Sequence, residues 1–210
     1  MKLIVLANEI LKEELLAQGL NSNMQVEWIT DPAYFNQHRD ADAFIDLLFI
    51  NDPVRIGLLN SDPPIPVIIN YVNGTLQGLP SQFVRINAWE SFLKRPVVEA
   101  AGGDGFLKNK ITTIFSGLGK TTNWVPDITG FISARIVSTI INEAYFALEE
   151  EVSSKEDTDI AMKTGTNYPY GPFEWGKKIG LQNILDLLTE LNKEQNRYQP
   201  APWLIKEAIQ

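Results

Sequence analysis

One stretch constrains this chain more than any other. Between Trp124 and Val152 the residues Phe131, Ile132, Ile136, Val137, Ile140, Ile141, Ala144, Tyr145, Leu148 and Val152 recur in steps of three and four. That spacing puts an oily stripe along one long helix. Asp127 and Thr129 stand ahead of it as candidate N-caps, after Pro126, which keeps the preceding chain extended. The stripe is too wide for a lone surface helix. It predicts the spine of an all-helical unit, with a face left over for a second subunit.

The rest of the C-terminal part reads as helices too. Ser153-Ser154-Lys155-Glu156 has the spacing of a capping box and predicts a short helix that Gly165 ends. The turn-rich run from Asn167 to Pro172 follows, and Pro172 suits the first position of a helix closed by Gly180. Ile184, Leu185, Leu188 and Leu191 predict an amphipathic helix over 181–194, and Pro202 opens a last short one.

The N-terminal part has a different grammar. Lys2–Ala7 is a continuous apolar run of buried-strand type, followed by helical spacing over Glu9–Gln18. Further strands are expected over 24–30, 43–50, 66–71 and 83–88, with 90–101 open to strand or short helix and a helix over 106–118. Strand, helix, strand, then apolar strands with short links predicts a parallel α/β sheet. Several links are too short for a full helix, so the unit is trimmed. The boundary is expected near Thr122, giving an α/β unit over 1–122 and an all-helical unit over 123–210.

Composition excludes several function classes. The net charge of −8 argues against a nucleic-acid partner. With no cysteine there is no disulfide framework and no thiolate nucleophile. No run reaches the roughly 18 apolar residues of a membrane helix, and the N-terminus reads as a strand rather than a signal peptide. A soluble cytoplasmic protein is the expectation, with no metal site, since Glu149-Glu150-Glu151 reads as a solvated helix end. Gly117-Leu118-Gly119-Lys120-Thr121-Thr122 is not a phosphate loop, because Ile114 occupies its first glycine position and a helix precedes it. Trp175 and Trp203 fall in the helical part and read as core or interface residues.

Two motifs in the helical part carry a resemblance. Asp127-x-x-Gly130-Phe131-Ile132-x-x-Arg135 and Tyr168-Pro169-x-Gly171-Pro172-Phe173-Glu174, the latter followed by Ile179-Gly180-Leu181, resemble the signature of the 3-hydroxyacyl-CoA dehydrogenases. Asn142-Glu143-Ala144 and Asp159-x-Ala161-Met162 fit in order between them, over about the last 85 residues. Leu118-Gly119-Lys120 resembles the family's linker. The resemblance implies a Rossmann domain that binds NAD, then a helical domain that dimerises and helps hold acyl-CoA. It implies oxidation of a 3-hydroxyacyl-CoA, with a His–Glu pair taking the hydroxyl proton and a Ser and an Asn placing the substrate oxygen.

Carried over residue by residue, the resemblance makes Glu99 the dyad acid, Asp31 the ribose-binding acid, and Asn87 and Thr75 the substrate-side residues. The same comparison puts Val84 where the histidine is expected and Ala134 where the catalytic asparagine is expected. The first strand is followed by Asn8-Glu9-Ile10-Leu11, without the glycines of a dinucleotide turn. The one histidine, His38, lies after the second strand and reads as an ordinary surface or loop residue. The expectation is therefore a family member with lost or weakened NAD-dependent redox activity, keeping a homodimeric helical domain and an acyl-CoA-type cleft. Two alternatives stay open: an active dehydrogenase with an unusual cofactor turn, and a non-catalytic dimerisation module.

Overall fold

A computed structural model describes residues 1–209. The chain divides into two compact units, Met1–Ile128 and the residues from Thr129 onward.

The first unit is built on a seven-stranded sheet: β1 (Lys2–Leu6), β2 (Gln25–Ile29), β3 (Ala43–Asp46), β4 (Val67–Asn70), β5 (Phe83–Ile86), β6 (Val97–Gly102) and β7 (Thr121–Trp124). Their spatial order is β2-β1-β3-β4-β5-β6-β7. The strands β1 to β5 are mutually parallel, β6 runs antiparallel to β5, and β7 is parallel to β6. The sheet is thus a trimmed, mostly parallel Rossmann-like one with two reversed strands at one edge. The 90–101 segment left open by its sequence contains β6.

Alternation along each strand feeds two cores. Leu3, Val5, Ile45, Ile68, Val84 and Ile86 face α1 (Glu9–Leu16) and α3 (Gly105–Gly117). Ile4, Leu6, Phe44, Val67, Ile69 and Phe83 face the opposite side with Phe35 and Leu59. Phe35 sits in a short 3-10 turn over Pro32–Gln37, and Leu59 ends α2 (Pro53–Leu59). The link from β4 to β5 holds no helix.

Several expectations are corrected. The apolar run 43–50 is strand only to Asp46, and Asp52-Pro53 opens α2, with Asp52 accepting from the N–H groups of Val54 and Arg55. A carboxylate that satisfies two orphan donors, ahead of a proline at the first helical position, starts a helix as readily as it ends a strand. The boundary falls after Ile128 rather than Thr122, because Thr121–Trp124 hydrogen-bonds to β6 and belongs to the sheet. Asp127 does not cap the spine. Its carboxylate receives Arg85 Nε and the N–H of Leu76.

The second unit contains α4 (Ser133–Glu149), α5 (Lys155–Thr166), α6 (Pro172–Ile179), α7 (Leu181–Glu194) and α8 (Pro202–Ala208). Here α4 is the spine, packed on α6, α7 and α8. Its buried side is Ala134, Val137, Ser138, Ile141, Asn142, Ala144 and Tyr145, whereas Ile132 and Ile136 are half exposed. The oily stripe is thus split between a packed side and an open one. Ser154, not Ser153, caps α5 by accepting from the N–H of Asp157, and α5 runs past Gly165 to end at Asn167 in the left-handed region. No helix among the described residues is long and apolar enough to cross a membrane.

Candidate functional site

In an open parallel sheet, ligands bind beyond the carboxyl ends of the strands, at the point where the strand order reverses. That point lies between β1 and β3, each paired to the other, with β2 on the far side of β1. The turn after β1 is therefore the first place to test for a dinucleotide.

The turn is closed by its own side chains. Asn8 Oδ1 accepts the N–H of Leu11 at 2.9 Å, and the Asn8 carbonyl accepts the N–H of Lys12. Glu9 opens α1, so its carboxylate stands at the helix N-terminus where a diphosphate would need to be, with Lys12 Nζ at 2.7 Å. A helix N-terminus favours one negative group, and here the protein supplies it. No glycine brings the backbone close. These residues do not fit the diphosphate of a dinucleotide.

The acid at the end of β2 is also occupied. Asp31 Oδ1 accepts the N–H of Ala33 at 2.8 Å and caps the 3-10 turn that follows. Its place on β2 leaves β1, β3 and β4 between it and β5. At about 4.8 Å per strand that is some 24 Å from Glu99, which lies one strand further on, in β6.

At the other end of the rim the structure does bring two expected residues together. Asn87, just past β5, donates its Nδ2 to Glu99 Oε2 at 3.2 Å, and its backbone N–H to the Glu99 carbonyl at 3.1 Å. Both are buried, at 2 % and 7 % exposure. Asn70, at the end of β4, accepts the Ala88 N–H at 3.0 Å and donates to the Leu47 carbonyl. The carboxyl ends of β3, β4 and β5 are thereby laced by one amide. Thr75 lies in the loop after β4, beside an open concavity of about 530 Å³ with Leu76 and Asp127. Its Oγ1 accepts the N–H of Gln77 at 3.4 Å.

The proton-taking partner is missing from this arrangement. Val84 is fully buried in the core with residues of α1 and α3, and carries no titratable group. His38 is at the β2 edge, with Nε2 3.5 Å from Glu27 Oε1. Ala134 is fully buried on α4. Among the described residues no group of acids and histidines is arranged to hold a metal.

Sequence reasoning missed the buried charges around the rim. Asp46 ends β3 with no exposure, facing Arg55 Nη1 at 3.2 Å. Burial pushes its carboxyl up to about 6, against the pull of Arg55 and the N–H of Leu48. Arg85, fully buried on β5, donates to Asp127, to the Tyr71 carbonyl at 3.2 Å and to the Ile128 carbonyl at 2.7 Å. Burial pushes Lys120 down to about 8, against the pull of Glu14, so it stays charged at neutral pH. A charged residue inside an otherwise apolar strand was the available signal for Asp46 and Arg85.

The helical unit shows why its motifs have their spacing. Asp159 of α5 accepts the N–H groups of Phe173 and Glu174, at 2.8 and 3.1 Å, and so caps α6 from a neighbouring helix. A Cβ on Gly171 would lie 2.4 Å from the Asp159 backbone, so only glycine lets the two helices meet. Glu174 turns back to the Gly171 N–H at 3.0 Å and pairs with Lys163. In the first motif, Gly130 and Phe131 both take positive φ, and Arg135 Nη2 holds the Thr129 carbonyl at 2.7 Å. Asn142 donates to the Gln199 carbonyl and accepts the Ala201 N–H, docking the approach to α8. Beside these lies a concavity of about 660 Å³, edged by Tyr145, Lys155, Phe173, Lys177 and Glu207.

Comparison with known proteins matches residues 130–208 to the 3-hydroxyacyl-CoA dehydrogenase C-terminal domain. The 3-hydroxyadipyl-CoA dehydrogenase of Escherichia coli is 44 % identical over 93 residues, which are 43 % of this chain and 20 % of that one. The probable 3-hydroxybutyryl-CoA dehydrogenase of Deinococcus radiodurans is 31 % identical over 176 residues, covering 81 % of this chain and 62 % of that protein. The chain thus spans less than two thirds of either relative. The crystal structure of (S)-3-hydroxybutyryl-CoA dehydrogenase from Ralstonia eutropha superposes with a TM-score of 0.77 at 17 % identity, over 98 % of this chain and 92 % of that one. At that identity the likeness speaks for the fold.

Proposed function

We propose that this chain is a member of the 3-hydroxyacyl-CoA dehydrogenase family whose NAD-dependent redox step is lost or greatly weakened, a reading supported by the C-terminal domain match and the similar relatives. The observation that carries this reading is the β1–α1 turn, where the Asn8 side chain caps α1, Glu9 puts a carboxylate in its first turn, and no glycine is present. NAD would supply the hydride acceptor in a working relative, but among the described residues the β1–α1 turn lacks the glycines that would let the backbone cradle it. Val84 at the position of the base points the same way. Glu99 retains its partner Asn87 but has no imidazole to orient, so the pair cannot relay a proton through a histidine.

What the protein keeps is a helical unit with its motifs in order. We assign it to dimerisation and to an acyl-CoA-type ligand. The half-exposed Ile132 and Ile136, one turn apart on α4, supply an apolar strip for a second copy. Its proposed setting is the cytoplasm, in keeping with a cysteine-free chain.

A thermal-shift titration tests the reading. A bound cofactor raises the midpoint by mass action, so millimolar NAD is expected to leave the midpoint where it is. NADH formation from a 3-hydroxyacyl-CoA at ordinary enzyme rates would overturn the proposal. A midpoint raised by a CoA thioester, together with a dimer in sedimentation, is the expected positive result. A dimer that no CoA thioester shifts would reduce the function to assembly.

A further inference from the structure

The segment 88–96, between β5 and β6, has neither helix nor strand, yet it is fastened on every side. It buries Trp89, Phe92 and Leu93. Lys120, itself 3 % exposed, spends its ammonium on three carbonyls: Leu93 at 2.6 Å, Arg95 at 3.2 Å and Glu14 at 3.2 Å. Two of these belong to the segment and the third to α1, so one side chain stitches segment to helix. Glu14 answers from α1, its Oε1 accepting the N–H of Ser91 at 2.7 Å. Gln18 of the same stretch donates to the Lys94 carbonyl at 2.8 Å.

We infer that residues 88–96 form a strap, pinned by Lys120 and Glu14, that holds Glu99 against Asn87 and opens independently of the parallel strands. The near end of the strap touches the pair directly, because the Trp89 N–H reaches Asn87 Oδ1 at 3.4 Å. Its far end runs into β6, which carries Glu99. Two features make it separable from the sheet. Residues 89–95 belong to no strand, and polar side chains of Lys120, Glu14 and Gln18 anchor them. Ser91 moreover holds φ at +75°, a conformation a residue with a Cβ adopts at a cost and leaves when released. The inference concerns the closing of the rim and stands whether or not the redox step survives.

Hydrogen exchange of the full chain, read by mass spectrometry, tests it. Lys120→Met leaves three buried carbonyls without their donor. Amides 89–95 are expected to lose protection by about ten-fold or more, while β1, β3 and β4 stay within about two-fold of wild type. Unchanged protection over 89–95 would overturn the inference. So would loss shared equally by β1, β3 and β4, which would make Lys120 a general core staple. Should Lys120→Met not fold, Glu14→Gln decides the matter: it keeps an oxygen for Ser91 and removes the charge, so a smaller loosening, about three-fold and confined to 89–95, is expected. No loosening there would overturn the pin. Carbodiimide labelling reads the second half of the claim. Glu99 is expected to label in the loosened variant and not in wild type, and a Glu99 equally inert in both would overturn its tie to the strap.

Discussion

The rim of the sheet and the junction of α5 with α6 make an instructive pair. In the helical unit each family-type residue has a mechanical task. Asp159 caps α6, Gly171 makes room for it, Glu174 closes the turn, and Asn142 docks the approach to α8. The positions that differ from the resemblance are the ones whose only task would be chemistry: the glycines of the first turn and the base at Val84 in the sheet unit, and the asparagine at Ala134 on α4. The Asn87–Glu99 pair remains where it also ties β5 to β6. A match to a family therefore reports architecture when the matched residues hold the architecture up, and says little about turnover.

The sharpest way to break this contrast is Gly171→Ala. The added carbon meets the Asp159 backbone at 2.4 Å, so the α5–α6 junction must open, and a loss of at least about 3 kcal/mol is expected in denaturant unfolding of the helical signal. A loss below about 1 kcal/mol would show that the motif is not mechanical. Arg85→Met comes next. It leaves Asp127 and two carbonyls without their buried partner, for an expected cost of about 3 kcal/mol, at the low end for buried pairs because Asp127 is partly exposed. That outcome would mark Arg85 as the rim's own structural residue.

A pH series gives a smaller effect. The Asp46 carboxyl lies above its ordinary 3.8, at about 6, so the folded state binds a proton that the unfolded state has released. Its contribution is full below pH 3.8 and is lost as pH rises through about 6, so unfolding free energy should fall by at most about 3 kcal/mol across that window. Asp46→Asn should flatten the slope, and an unchanged slope would move the cause elsewhere. Smallest is Asn8→Ala, which removes one N-cap, for about 1 kcal/mol in chemical denaturation. If the variant also gained affinity for NAD, Asn8 would be a plug rather than a cap.

Much of the architecture was legible because it rests on local rules. The apolar run Lys2–Leu6, the proline at 172, the glycine at 180 and the periodicity of 181–194 each specify one element without help from distant residues. Legibility failed where tertiary partners decide. Nothing near Asp127 in the chain reveals that Arg85, 42 positions away, claims it from the helix cap. Ile132 and Ile136 fit the helical stripe as well as Val137 does, and only the packing of α6, α7 and α8 selects the buried side. Of the site, Glu99 and Asn87 were named separately from the sequence, while their pairing and the buried charges at Asp46, Arg85 and Lys120 appeared only with the fold.

The position of β1 between β2 and β3 has a kinetic consequence. Its first partner begins 23 residues downstream, at Gln25, and its second not until Ala43. Ring closures of that length carry an entropic toll before any pairing rewards them, whereas α5 and α6 meet across a connection of a few residues. Stopped-flow refolding should accordingly show two phases, helical signal first and the sheet later by about one or more orders of magnitude. On a ribosome the order of appearance is reversed, since the slow partner is synthesised first and has the whole of the remaining translation time in which to assemble.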